Sequence, residues 1–236
     1  MNVQSPMLPR SVKLTVEDFL LLKRSGAFAN FKKAELLYGE LSGTLRERDD
    51  EPENDDIIPI RLRIQDYAAL DRAGALSSYA KTELVDGKVY QMSPQYRAHG
   101  FIKDELAYRL RRCLEDLGSS LHVATEQSVE LAPYSEPQPD IALTSEPRGP
   151  GAIPGKSIAL VVEVAVSTVN FDMIDKATIY AQADIPEYWV VDVETGRIHQ
   201  HWRPGAEGYA ERREVALGEQ VEAVTIEGLS VQTPAA

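Results

Sequence analysis

Apolar residues recur at helical spacing over about 98–117, where Ile102, Leu106, Leu110, Cys113 and Leu117 share one face. Gly118 closes that pattern. Farther on, the run Ile158-Ala159-Leu160-Val161-Val162 shows no polar alternation. It predicts a strand buried on both faces, within about 157–167. Further strands are predicted over about 121–131, 139–144 and 188–193, the last rich in β-branched and aromatic residues. A helix is predicted over about 171–183. Glu194-Thr195-Gly196-Arg197 is a hairpin signal that leads into a strand over 198–202. The tail from Tyr209 on is acidic and reads as strand-rich. Helices mixed with hairpins and one strand–helix–strand crossover imply an α/β fold whose sheet has mixed strand directions.

The first ninety residues carry an internal repeat. Residues 13–42 align with 61–90 at a constant offset of 48, without gaps, and ten of the thirty positions are identical. Leu14/Leu62, Asp18/Asp66, Leu22/Leu70, Gly26/Gly74, Glu35/Glu83 and Gly39/Gly87 are among them. Each copy reads as a helix followed by a strand. In the first copy Thr15 is a candidate N-cap with Asp18 at the capping-box position, and Gly26 ends the helix. The strand is predicted over 34–41, with Gly39 a bulge or turn.

Between the copies, seven of the ten residues from 47 to 56 are acidic and one is proline. Such a run repels itself and buries nothing, so it predicts a solvated linker. The division is set there: 1–57 as an N-terminal helix-strand repeat with its linker, 58–236 as the main domain. With 25 Lys+Arg against 37 Asp+Glu the net charge is −12, which argues against a broad basic face that coats nucleic acid by charge alone. The single cysteine, Cys113, excludes an internal disulfide and a cysteine-rich zinc site. No apolar run approaches the roughly 20 residues of a membrane span. The segment from Met1 to Arg10 lacks an apolar signal core. The expectation is a cytoplasmic protein with no membrane partner.

Three carboxylates stand where a core sheet should be apolar. Asp140 follows Pro139 and opens a strand. Glu163 interrupts Leu160-Val161-Val162-Glu163-Val164-Ala165-Val166. Glu83 lies just before Leu84-Val85-Asp86-Gly87. A lone carboxylate on a buried strand costs several kcal/mol unless paired or metal-bound, so Glu163 requires a cation. Carboxylate oxygens favour a hard cation, Mg²⁺ or Mn²⁺, with several retained waters. A nearby lysine would offset charge in a transition state. Ala165, on the same face as Glu163, cannot be that lysine. Lys176 can, because Asp172, Lys176 and Tyr180 form one stripe of the following helix.

Glu83, Pro139-Asp140, Glu163 and Lys176 resemble the PD-(D/E)XK nuclease superfamily. Within it the chain is similar to the Uma-two family of restriction-endonuclease-like proteins. The resembling stretches are Glu83 to Val89, His99-Gly100, Pro139 to Ala142, Val162-Glu163-Val164, Ser167-Thr168, Asp172, Lys176, Tyr180 and Glu187 to Asp192. The resemblance covers about 60–230. It implies a restriction-endonuclease-like mixed β-sheet core flanked by helices, and Mg²⁺- or Mn²⁺-dependent hydrolysis of phosphodiesters in nucleic acid, DNA in preference to RNA. It implies Asp140 and Glu163 as metal ligands and Glu83 as the carboxylate of the first core element. Lys176 takes the catalytic-lysine role, moved from strand to helix. Ala165 departs from the strand lysine usual in the superfamily.

Each residue also has a plainer reading. Asp140 could cap a turn at a strand start, and Glu163 could form a buried ion pair with Lys176 that outlives any activity. His99 is either a satisfied core histidine or an auxiliary contact to a ligand or a substrate phosphate. Tyr180, Tyr188 and Trp189 read as core. Arg97, Lys103, Arg109, Arg111 and Arg112 are a solvated helix face, or phosphate contacts if DNA binds. The acidic linker, and six glutamates against two arginines after Arg203, leave the intervening core nearer balance. Any DNA binding should therefore be weak and salt-sensitive. The expected assembly is a homodimer. The competing function is a non-catalytic dimerising interaction or regulatory module on a nuclease fold.

Overall fold

A computed structural model describes residues 9–46, 56–93 and 96–235. The acidic run 47–55 lies outside the described residues, so the solvated-linker expectation is not addressed by the fold. The chain divides into two compact units, Arg10–Met92 with Ala132–Ser135, and Ser93–Leu131 with Glu136–Ala236. Both copies of the repeat thus belong to the first unit, and the units do not part at the expected 57/58. One apolar cluster accounts for this. It combines Leu22, Phe28 and Leu41 of the first copy with Ile60, Leu70, Leu84 and Val89 of the second.

Within the first unit, helix α1 (Val16–Arg24) begins at a complete Thr15/Asp18 capping box, as the sequence predicts. Helix α2 (Ile64–Arg72) begins at Arg63, whose backbone and guanidinium both donate to Asp66. The element predicted as a strand over 34–41 is instead a hairpin of β2 (Phe31–Leu37) and β3 (Glu40–Leu45). Its two-residue loop, Tyr38-Gly39, has φ of 53° and 78°, and positive φ at both loop positions matches the twist of the flanking strands. The second copy repeats the device with β5 (Thr82–Val85), β6 (Lys88–Gln91) and the loop Asp86-Gly87 at φ 49° and 76°. Short strands β1 (Arg10–Ser11) and β4 (Ile58–Pro59) complete two three-stranded sheets, β1-β6-β5 and β2-β3-β4.

The second unit is built on helix α3 (Arg97–Asp116) and a six-stranded sheet. The strands are β7 (His122–Thr125), β9 (Ile141–Thr144), β11 (Ile158–Ala165), β12 (Glu187–Asp192), β13 (Arg197–Gly205) and β14 (Gly208–Ala216), in the order β14-β13-β12-β11-β9-β7. Within this sheet the one parallel pair among the described residues is β11–β12, joined by the predicted crossover helix α4, residues 169–182. The predicted strand over 121–131 breaks at Glu126, whose φ is 52°. Beyond the break, β8 (Val129–Glu130) pairs with β10 (Ile153–Pro154) outside the main sheet. The tail adds the pair β15 (Gln220–Glu222) and β16 (Ser230–Gln232).

Alternation along β11 sorts the chemistry. Leu160, Val162 and Val164 join Ile102, Leu106 and Leu110 of α3 in the core cluster, together with Ile141, Leu143, Trp189 and Val191. Val161, Glu163 and Ala165 therefore point to the opposite face. On α3 the inward row ends on Leu114, whereas the expected Leu117 is 45% exposed. Leu117 lies past the last helical residue, Asp116, as the C-cap of α3, so the helix end exposes it. Among the described residues, no helix is long and apolar enough to cross a membrane.

Candidate active site

Register brings Asp140 to the part of β11 that carries Glu163. In the antiparallel β9–β11 pair, Leu160 faces Leu143, Val161 faces Ala142 and Val162 faces Ile141. One step further along β11 is Glu163, on the face away from α3, and one step before β9 is Asp140, whose carboxylate reaches Val164 of β11 and His99 of α3. Asp140 Oδ2 accepts the Val164 backbone N–H at 2.8 Å, so the carboxylate continues the ladder where β9 has not yet begun. The same oxygen lies 3.1 Å from His99 Nε2. Both side chains are buried. Burial pushes the Asp140 carboxyl up, but the His99 hydrogen bond and charge, the Val164 N–H and the Lys176 charge outweigh it and hold it below its ordinary value.

Glu163 is met from α4. Lys176 Nζ donates to Glu163 Oε1 at 2.8 Å, and Tyr180 Oη donates to the same oxygen at 2.9 Å. Glu163 is 4% exposed and Lys176 2%, so this is a buried ion pair. The cation that a carboxylate on β11 requires is therefore Lys176, as its position on the following helix predicts. The helix is not regular there. Val169–Phe171 and Ala177–Gln182 are α-helical, but Asp172–Lys176 forms a π turn. Such single wide turns sit frequently at functional sites. Asp172 accepts from Thr168 Oγ1 at 2.6 Å, and its carbonyl accepts from Tyr188 Oη at 3.0 Å. Burial first, then the Asp172 and Glu163 charges, push the Tyr188 hydroxyl well above its ordinary range.

The remaining predicted residues fall in different settings. Glu83 belongs to the first unit, on β5, where it is 1% exposed with Lys81 Nζ at 3.3 Å. On α3, Lys103 is buried and pairs with Glu126 at 3.0 Å. Arg109 bonds Glu105 and also donates to the carbonyls of Gln232 and Thr233, which ties down the C-terminal strand. Arg97, Arg111 and Arg112 are exposed, and Arg112 donates to Tyr108 Oη at 3.3 Å. Lys103 and Arg109 are thus engaged by the fold itself.

Tyr180, which the sequence sets on one stripe with Lys176 but which reads there as core, is a second partner of Glu163. It is fully buried, yet its hydroxyl serves the carboxylate. Its i+4 spacing from Lys176 is what directs the hydroxyl to the same carboxylate. Glu187 is a second omission. It is fully buried, accepts from Trp189 Nε1 at 2.6 Å, and binds the backbone N–H groups of Val224 and Thr225 at 2.8 Å each. It clamps the tail to the sheet.

Among the described residues, no group of three His, Cys, Asp or Glu side chains could hold a metal ion. Asp140 and Glu163 nevertheless carry hard carboxylate oxygens at the β9–β11 pair. That donor set suits Mg²⁺ or Mn²⁺, which is held by one or two carboxylates and keeps several waters.

No curated protein matches the sequence. A crystal structure described as "a putative nuclease belonging to DUF820" from Anabaena variabilis aligns with 15% identity and a TM-score of 0.47, over 60% of this chain and 80% of that one. The Uma2 family profile, described as "Putative restriction endonuclease", matches residues 64–234. That span takes in α2, α3, the whole six-stranded sheet and the Asp140, Glu163 and Lys176 positions, and by it the chain belongs to the Uma2 family.

Proposed function

We propose that this protein is a metal-dependent endonuclease that hydrolyses phosphodiester bonds in nucleic acid, with DNA as the substrate. The observation that carries the reading is the set Asp140, Glu163 and Lys176: two carboxylates at the β9–β11 pair, with Lys176 of the crossover helix bonded to Glu163 and its charge helping to hold the Asp140 carboxyl below its ordinary value. Asp140 and Glu163 would hold Mg²⁺ or Mn²⁺. When bound, such an ion supplies Lewis-acid polarisation of a phosphoryl oxygen and lowers the pKa of a coordinated water.

The chain's own groups have distinct tasks in this reading. His99 Nε2 and the Val164 N–H hold the Asp140 carboxylate in one orientation and keep it ionised. Tyr180 fixes the Glu163 carboxylate through Oε1. Lys176 keeps its proton and its positive charge at Nζ, and shares them between Glu163 and the phosphoryl oxygens on which charge develops. Glu83 is assigned a supporting carboxylate role on the strength of the family motif, and Glu83→Gln tests it by itself. Arg97, Arg111 and Arg112 are the proposed phosphate contacts. The net charge of −12 predicts weak, salt-sensitive binding.

The test is plasmid nicking at low salt with Mg²⁺ or Mn²⁺. Wild type should nick, and Glu163→Gln and Lys176→Met should each lose activity by about 100-fold or more, the scale of removing one transition-state donor. Equal nicking by wild type and Glu163→Gln would sink the assignment. The buried Glu163–Lys176 pair also supports a second reading, a non-catalytic interaction module that keeps the pair for its fold. Calorimetric titration with Mn²⁺ separates the two: heat of binding abolished by Glu163→Gln favours the nuclease, and no heat favours the module.

A further inference from the structure

We infer that residues 10–43 and 58–91 are two copies of one unit that exchange their first strands within a single chain, so that the N-terminal copy occupies in cis the interface a lone copy would offer to a second chain. The sequence shows the offset of 48 between the copies, and the hydrogen bonds obey the same offset. Leu14 N donates to Gly39 O at 3.0 Å, and Leu62 N donates to Gly87 O at 2.9 Å. Ala27 N donates to Leu22 O, and Ala75 N to Leu70 O, each at 3.0 Å. Adding 48 to each residue of the first bond gives the second.

The close contacts obey it too. A Cβ on Gly39 would lie 2.7 Å from Lys13 Cβ, and one on Gly87 would lie 2.5 Å from Arg61 Cβ. Both glycines are needed where the hairpin loop crosses the residue that leads into the helix.

The leading strands cross over. In the first copy, β1 pairs not with its own hairpin but with β6 of the second, Arg10 facing Gln91 and Ser11 facing Tyr90. In the second copy, β4 pairs with β3 of the first, Gly43 facing Ile58 and Ser42 facing Pro59. The equivalence holds residue by residue: Ser11/Pro59 and Tyr90/Ser42 are each related by 48. The crossed bonds match as well, Val12 N to Val89 O at 2.7 Å and Ile60 N to Leu41 O at 3.0 Å. Pro59 fits this arrangement. Val12–Val89 and Ile60–Leu41 are hydrogen-bonded pairs, so the neighbouring pairs Ser11–Tyr90 and Ser42–Pro59 are not, and a proline there forfeits no ladder bond.

This is reciprocal strand exchange between two like units, the geometry of a swapped dimer closed on itself. Each copy covers the free edge of the other's hairpin, and one shared cluster holds the buried leucine of each helix, Leu22 and Leu70. The family match begins at residue 64, inside the second copy. The first copy lies ahead of it and serves as a built-in partner. These edges therefore call on no second chain.

Paired cysteines test the exchange. Ser11→Cys/Tyr90→Cys and Ser42→Cys/Pro59→Cys are built separately in a Cys113→Ser background and oxidised. All four positions are at least partly exposed, and directly opposed non-hydrogen-bonded pairs come close enough for a disulfide. Each variant should cross-link within one chain to near completion, and the denatured, unreduced protein should keep the single-chain mass of 26.2 kDa. Covalent dimers would show that the exchange runs between chains. Free thiols in folded protein would show that the strands do not pair. Either result overturns the inference. Nuclease activity plays no part in the readout, so the proposed function stands or falls separately.

Discussion

Replacing Lys176 by methionine removes an ammonium that is 2% exposed and 2.8 Å from Glu163 Oε1. At that distance and an effective dielectric of about 20, the attraction lost is about 6 kcal/mol. Part of it had been offsetting the desolvation of the lysine itself, which methionine avoids. The carboxylate left behind is 4% exposed and keeps the Tyr180 hydroxyl. Breaking one partner of such a pair costs about 3–5 kcal/mol. For a chain of this size that corresponds to a fall in Tm of roughly 6–20 °C.

The assay is equilibrium urea unfolding followed by fluorescence of buried Trp189, in a Trp202→Phe background that leaves one reporter. The decisive comparison is the double variant. Adding Glu163→Gln to Lys176→Met removes the uncompensated charge and leaves an amide oxygen for Tyr180. The double variant should therefore be more stable than Lys176→Met, by about 2 kcal/mol. If Lys176→Met costs less than about 1 kcal/mol, or if Glu163→Gln destabilises it further, the pair is not the buried, mutually dependent unit described here.

Acid titration reports on Asp140, whose carboxyl is held below its ordinary value. A depressed carboxyl contributes stability that is fully present above its unfolded pKa of about 3.9 and is lost as pH falls through the lower, folded value. Unfolding midpoints measured from pH 2 to 6 should therefore drop less steeply in Asp140→Asn than in wild type. Glu187→Gln should cost about 3–4 kcal/mol, because the two backbone N–H groups and the Thr225 hydroxyl on Oε2 would meet an amide in place of a carboxylate. The tail should then lose protection in hydrogen exchange before the sheet does. Gly87→Ala and Gly74→Ala both place a side chain at positive φ, a strain of about 1–2 kcal/mol. Only the Gly87 Cβ would also strike Arg61, at 2.5 Å from its Cβ, while nothing lies within 4 Å of one on Gly74. Thermal melts should rank Gly87→Ala clearly below Gly74→Ala, and equal melts would refute the close approach.

Sequence periodicity located the elements better than their breaks. The strand predicted over 34–41 concealed a turn, because Tyr38 at positive φ carries no glycine signal and its neighbour Gly39 reads equally as a bulge. The π turn at Asp172–Lys176 has no signature at all in the pattern. The roles of Lys103 and Arg109 were equally hidden. A cation on a helix face looks the same whether it faces solvent, Glu126, or a carbonyl more than a hundred residues away.

What the sequence determined by itself was composition and period: a polar residue inside an apolar run must be answered by a partner, and a repeat at offset 48 must build like units twice. The Glu163–Lys176 pair and the likeness of the two N-terminal copies followed from that, though the hairpin within each copy did not. Which partner answers, and which copy each leading strand joins, are long-range facts. Asp140 reaches the backbone beside Glu163 only because the β9–β11 register falls where it does, and one residue of slip would turn every side chain to the other face. The pairing of β1 with β6, in place of its own copy's hairpin, leaves the local pattern unchanged. The two arrangements satisfy the same backbone bonds with equivalent residues, so tertiary packing alone chooses between them.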